Sequence, residues 1–268
     1  MINKTLFVAA LALCAGSAVA NPTPGTMYAV DSNRSLYTID FSTGAKTLIG
    51  TIGTNSGTPG GLAYRPDNNT IYLTSTSTDS LYTLDVTTAT STLVGAYGGA
   101  DVVMHGLEWD SSTGTMYGVS GGGSPANFNA YTISTANGAA TLLGNTGLTS
   151  FTNLGYNSLT NTMYATNSAT DSFFTFNRAT GGTTLIGALG GPTNPNGLAF
   201  NRDNGLMYMV DNNTDSLYTI NMNTGAATLV GSTGSGNLLG LVYVPIPTPG
   251  AASLLAIAGA ATLRRRRA

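Results

Sequence analysis

One phrase recurs five times along this chain, and its spacing limits what the chain can fold into. Met27-Tyr28, Ile71-Tyr72, Met116-Tyr117, Met163-Tyr164 and Met207-Tyr208 place their tyrosines 44, 45, 47 and 44 residues apart. An aromatic motif follows each pair: Leu36-Tyr37-Thr38-Ile39, Leu81-Tyr82-Thr83-Leu84, Ala130-Tyr131-Thr132-Ile133, Phe173-Phe174-Thr175-Phe176 and Leu217-Tyr218-Thr219-Ile220. A third motif ends in glycine, as in Leu48-Ile49-Gly50 and Leu229-Val230-Gly231. A fourth reads Gly61-Leu62-Ala63-Tyr64, Gly106-Leu107-Glu108-Trp109, Asn153-Leu154-Gly155-Tyr156, Gly197-Leu198-Ala199-Phe200 and Gly240-Leu241-Val242-Tyr243. Many of these segments are apolar at consecutive positions, so both faces of each unit need cover, and only a neighbouring unit can supply it.

Four short strands in a period near 45 residues imply an all-β chain, a five-bladed β-propeller. Asp67-Asn68-Asn69 and Asp203-Asn204-Gly205 supply the turns between first and second strands; Thr43-Gly44 and Thr224-Gly225 supply those between third and fourth. The phase of the repeat predicts how the ring closes. The chain enters on a second strand at Met27 and leaves on a fifth first strand at residues 240–243. Pairing of that C-terminal strand with the N-terminal blade completes blade one and protects edges that would otherwise template aggregation.

Charge separates the ends from the middle. Residues 21–244 carry five basic against twelve acidic side chains, a net charge of −7. No basic groove is available for phosphates, so no nucleic-acid partner is expected. The single cysteine, Cys14, lies in the leader, which leaves the rest of the chain without disulfides or a thiol nucleophile. No cofactor-binding motif is present.

The expected organisation has three parts: a signal peptide at 1–20, the propeller at 21–243 and a tail at 244–268. Lys4, an apolar core over residues 6–13 and the small-x-small site Ala18-Val19-Ala20 make up the signal peptide. The tail holds Pro245, Pro247 and Pro249, then a 13-residue apolar run over 251–263, then Arg264, Arg265, Arg266 and Arg267. As a helix that run reaches roughly 20 Å, short of a hydrocarbon thickness near 30 Å. The arginines would hold the end in the cytoplasm. This tail resembles the PEP-CTERM sorting signal of secreted bacterial proteins. Pro245 and Pro247 match its prolines and the four arginines its basic cluster, while Ile246 replaces its glutamate. The resemblance implies an exosortase-like processing enzyme as partner and contact with the membrane through the tail. It also implies delivery to the cell surface, outer membrane or extracellular matrix of a Gram-negative-type bacterium.

Candidate chemistry concentrates in one first strand, where the repeats can be compared slot by slot. The first strands are expected to line a central channel. Their third slot reads Ala63, Glu108, Gly155, Ala199 and Val242, and Glu108 is the sole glutamate of the chain. His105, the sole histidine, and Trp109, the sole tryptophan, lie in the same segment, flanked by Asp101 and Asp110. His105, Glu108 and Asp110 are therefore the candidates for a site at the channel mouth. Residues three apart on a strand point to opposite faces, so one ligand reaches both His105 and Glu108 only across a bulge. Asp211, Asn213 and Asp215 match the first half of a calcium loop, but Met222 stands where its twelfth-position acid belongs. An Asx-stabilised turn accounts for the same residues.

Two functions fit this reading. One is a non-catalytic secreted or surface propeller that binds a protein or glycan, or forms part of a matrix. The alternative is a hydrolase or lyase working at the channel mouth through His105, Glu108 and Asp110. The scarcity of His, Glu and Lys favours the first.

Overall fold

The computed structural model describes residues 22–99, 102–121, 128–150 and 152–247. The expected signal peptide and the sorting tail beyond Pro247, with Arg264 to Arg267, lie outside the described residues, as does Asp101. Blade one contains β1 (Thr26–Asp31), β2 (Ser35–Ile39) and β3 (Lys46–Thr51). Blade two is β4 (Pro59–Arg65), β5 (Thr70–Ser75), β6 (Ser80–Asp85) and β7 (Thr90–Ala96). Blade three is β8 (Met104–Asp110), β9 (Thr115–Ser120), β10 (Asn129–Ile133) and β11 (Ala140–Asn145). Blade four is β12 (Thr152–Asn157), β13 (Thr162–Asn167), β14 (Ser172–Phe176) and β15 (Thr183–Ala188). Blade five is β16 (Pro195–Asn201), β17 (Leu206–Asp211), β18 (Ser216–Ile220) and β19 (Ala227–Ser232), and β20 (Leu238–Val244) follows.

Each sheet is a four-stranded antiparallel meander, and blade one is completed by β20 in the order β20-β1-β2-β3. Tyr28 sits opposite Val242 and Met27 opposite Tyr243. The innermost strands β20, β4, β8, β12 and β16 pack in cyclic succession, β16 returning to β20. The ring is thus a five-bladed propeller closed by its own C-terminal strand.

Closure is repeated at the outer radius. Gly44, in the β2–β3 turn of blade one, has φ +82°, and a Cβ there would lie 2.6 Å from the Gly231 carbonyl oxygen of blade five. Only glycine accepts both the left-handed backbone and that approach.

Side chains of each Met-Tyr pair point to opposite faces of their blade and so serve two different layers. Tyr28 packs with Leu62, Ile71 and Leu73 of blade two, whereas Met27 packs with Ala199, Tyr208 and Leu217 of blade five. Five such inter-blade clusters form the core. The outermost strands present Leu48, Leu93, Leu142, Leu185 and Leu229 to solvent at one repeated position.

The expected central channel is not open. The first strands do surround the axis, but they approach too closely to leave a passage: a Cβ on Gly61 would lie 2.6 Å from the backbone nitrogen of Leu107. Leu62, Leu107, Leu154, Leu198 and Leu241 line the space that remains, which has no room for a water molecule. What survives is a cavity at one end.

Candidate functional site

That cavity lies where the first strands end, and it is built from repeat positions. Its wall is a ring of five aromatic residues, one per blade: Tyr64, Trp109, Tyr156, Phe200 and Tyr243. Two positions further along each chain segment, Pro66, Ser111, Ser158, Arg202 and Pro245 make the rim. Glu108, Ala199 and Val242 supply the floor beside Leu241. The cavity volume is about 90 Å³. Five-fold equivalence is broken by ionisable side chains at two lining positions, Glu108 on the floor and Arg202 on the rim.

The wall residues are oriented from outside. Tyr64 donates its hydroxyl to Asn69 Oδ1 at 2.7 Å, Tyr156 to Asn161 Oδ1 at 2.8 Å and Tyr243 to Asp203 Oδ2 at 2.7 Å. The Arg65 guanidinium stacks 4.6 Å from the Trp109 ring centre, and Arg178 lies 5.6 Å from that of Tyr156. The polar ends of the three tyrosines are therefore engaged in the turns, and their rings are left to the cavity.

Glu108 points from blade three toward blade four. Its Oε1 accepts the Trp109 backbone N–H at 2.8 Å and its Oε2 the Tyr156 N–H at 3.0 Å. Burial pushes its carboxyl up to about 8, against those two N–H bonds, which favour the anion; Asp110 nearby adds to the rise. At neutral pH Glu108 is a neutral acid.

The other candidates of this strand go elsewhere. Asp110 is fully buried in the β8–β9 turn, where its Oδ1 accepts from Ser112 N and Oγ and its Oδ2 from Thr113 Oγ1. Arg178 of blade four also donates Nη1 to Asp110 Oδ2. Burial raises the Asp110 carboxyl, but the Ser112, Thr113 and Arg178 bonds outweigh it and hold the group down at about 2. Its oxygens are engaged in a turn and an inter-blade ion pair. His105 sits at the start of β8, at a register shift between Met104 and Gly106. The bulge that sequence geometry required does exist, yet His105 is not among the residues lining the cavity. Burial holds its imidazole down at about 4, so it is neutral at physiological pH. The structure thus brings Glu108 into the mouth and leaves His105 and Asp110 outside it.

Asp211 lies at the opposite end of its blade. Oδ1 accepts from Thr214 N and Oγ1, and Oδ2 accepts Asn194 N at 2.6 Å. Asn213 donates to Thr193 Oγ1, and Asp215 takes φ +46°. Both Asp211 oxygens are engaged within the protein, the arrangement of an Asx turn. Among the described residues no group of three His, Cys, Asp or Glu side chains is placed to hold a metal.

Sequence reasoning missed the aromatic wall and Arg202. The signal was present: the fourth slot of every first strand is aromatic, and the sixth holds a lone cation. Most of the surface of these aromatic residues is buried.

No protein-family model matches the sequence, and no curated protein does. Solved structures do resemble it. A chain from the crystal structure of a nidogen/laminin complex aligns with TM-score 0.56 and 16% identity over 81% of this chain and 84% of that one. A structural-genomics protein of unknown function from Bacteroides thetaiotaomicron VPI-5482 aligns with TM-score 0.59 and 16% identity, over 85% of this chain but 63% of its own. At such identities the likeness concerns the fold, an all-β ring of repeated blades.

Proposed function

We propose that this protein is a non-catalytic, exported propeller that binds a glycan or protein ligand at the closed end of its axis. The observation that carries the reading is the mouth itself, where residues from all five blades converge on one cavity. Among the described residues, ionisable acid and base groups enter its lining at Glu108 and Arg202. Propellers serve binding and catalysis alike, so the argument rests on the site and not on the fold. Glu108 has no second acid or base beside it in the lining, and a lone neutral carboxyl with two backbone bonds suits recognition better than proton relay.

Export belongs to the same proposal and rests on sequence: the signal peptide at 1–20, and the tail with Pro245, Pro247, Arg264, Arg265, Arg266 and Arg267. Residues 245 and 246, at the start of that proposed tail, lie at the mouth: Pro245 is part of the rim and Ile246 N donates to Asp203 Oδ2 at 2.8 Å. An exosortase-like enzyme acting on the tail would deliver the propeller to the cell surface or matrix.

The test is a glycan and surface-protein binding array, probed with the full chain and with Ser158→Trp. Ser158 stands on the rim, so the indole fills the opening without disturbing the core. The reading expects ligands that bind the wild type and not the plugged variant. An identical binding pattern for both would remove the mouth from consideration.

A further inference from the structure

Arg202 carries an inference about what the mouth receives. Every other Arg or Lys among the described residues has a partner. Arg34 reaches Ile52 O, Lys46 reaches Ser235 O, Arg65 pairs with Asp67, and Arg178 with Asp110. Arg202 has neither a hydrogen bond nor an ion pair, and it is exposed on the rim. Ser111 and Ser158, its companions there, likewise have hydroxyls without partners. Unengaged polar groups thus sit above apolar walls, over a floor carrying the Glu108 carboxyl.

We infer that the mouth binds the acidic end of a glycan, a terminal hexuronic acid whose carboxylate pairs with Arg202 and whose ring hydroxyls meet Ser111, Ser158 and Glu108. The chemistry of each level supports this. A guanidinium offers the planar fork that a carboxylate fits. Aromatic walls suit the C–H face of a pyranose, and free hydroxyls suit a hydroxyl-rich ring more than an extended peptide. A cavity of about 90 Å³ admits one end of a sugar and not a chain laid lengthwise. Neutral Glu108 can donate its proton to a ligand oxygen and does not repel an anion.

Three other carboxylates stand in the turns around the mouth and are already engaged. Asp67 is paired with Arg65, Asp110 with Arg178, and Asp203 holds Tyr243 Oη and Ile246 N. Ionisation of Glu108 is therefore the event that opposes the ligand as pH rises. The inference rests on the mouth being the binding site, as proposed above.

Trp109 lines the mouth and is the only tryptophan, so its fluorescence responds to occupancy there, and loss of the response in variants such as Arg202→Gln, which add no second tryptophan, assigns it to the mouth. The full chain is titrated with a glucuronic acid trisaccharide, a glucose trisaccharide and trialanine with a free C-terminus. The expected result is a saturable Trp109 change with the uronic trimer and binding of the glucose trimer weaker by about tenfold or more. Arg202→Gln, at an exposed site, should keep its melting temperature and lose that discrimination. Glu108→Gln should lose the weakening of uronic-trimer binding that wild type shows between pH 7 and 9. Equal affinity for the two sugars, an unchanged Arg202→Gln, or tighter binding of trialanine would each overturn the inference. Should Ser158→Trp abolish array binding while the uronic trimer shows no preference, the mouth would stand and only its assigned ligand would fall.

Discussion

Replacing Glu108 by glutamine should change how stability depends on pH, and the sole glutamate and sole histidine let the effect be worked out. The Glu108 carboxyl lies near 8 in the fold against 4.5 in the unfolded chain, and the His105 imidazole near 4 against 6.5. An acid raised by folding contributes stability that is complete below its unfolded value and lost as pH rises toward its folded one. A lowered histidine acts in the opposite sense, its contribution lost as pH falls from 6.5 toward 4. Between pH 4.5 and 6.5 the folded chain holds the Glu108 proton and the unfolded chain the His105 proton, so the two slopes cancel. From 6.5 to 8 only Glu108 differs, and stability should fall by about 1.4 kcal/mol per unit, about 2 kcal/mol in all. In Glu108→Gln that fall should vanish, and stability should instead rise with pH up to 6.5 through His105 alone. The difference between wild type and variant cancels every other group, including Asp171, whose carboxyl burial also raises. It should change by about 5 kcal/mol from pH 4.5 to 8. Urea unfolding followed by Trp109 fluorescence at half-unit steps from pH 4.5 to 9 reads both curves. Parallel curves for the two proteins would refute the reasoning.

Three further outcomes follow from the same geometry. Arg178→Met strands Asp110 in a fully buried site and should cost about 3 kcal/mol or more in urea unfolding, whereas a loss below about 1 would mean the inter-blade pair contributes little. Gly44→Ala places a methyl group against the Gly231 carbonyl at a left-handed backbone position, and should cost about 2 kcal/mol or more. A variant melting with wild type would show that the outer contact gives way freely. Calcium should leave the melting temperature unchanged, because both Asp211 oxygens are engaged in its turn and with Asn194; a calcium-dependent rise in scanning calorimetry would contradict that assignment.

Much of the ring was legible because its repeats label their own strands. Met27 entering on a second strand, and a surplus first strand at residues 240–243, gave the closure that Tyr28 and Val242 make. The closed axis was not legible. Whether five first strands enclose a passage depends on how nearly their backbones approach, and the glycine and leucine slots show that only once the strands are placed. For the site, uniqueness of residue type singled out Glu108, which lines the mouth, and grouped with it His105 and Asp110, which do not. Proximity in sequence does not say which way a bulged strand turns its side chains. Arg202 escaped notice because a single arginine in a turn is ordinary; its isolation becomes visible only once the other cations among the described residues are seen to have partners.

Closure positions Val242, Tyr243 and Pro245 in the mouth, so the account depends most on the β20–β1 pairing. Native-state amide hydrogen exchange measures it directly. The backbone N–H groups of residues 240–243 that bond to β1 should exchange only with global unfolding, as slowly as those in β12 at the middle of the chain. Exchange of that last strand at the rate of a frayed terminus, while β12 stays protected, would contradict a ring closed by its own end.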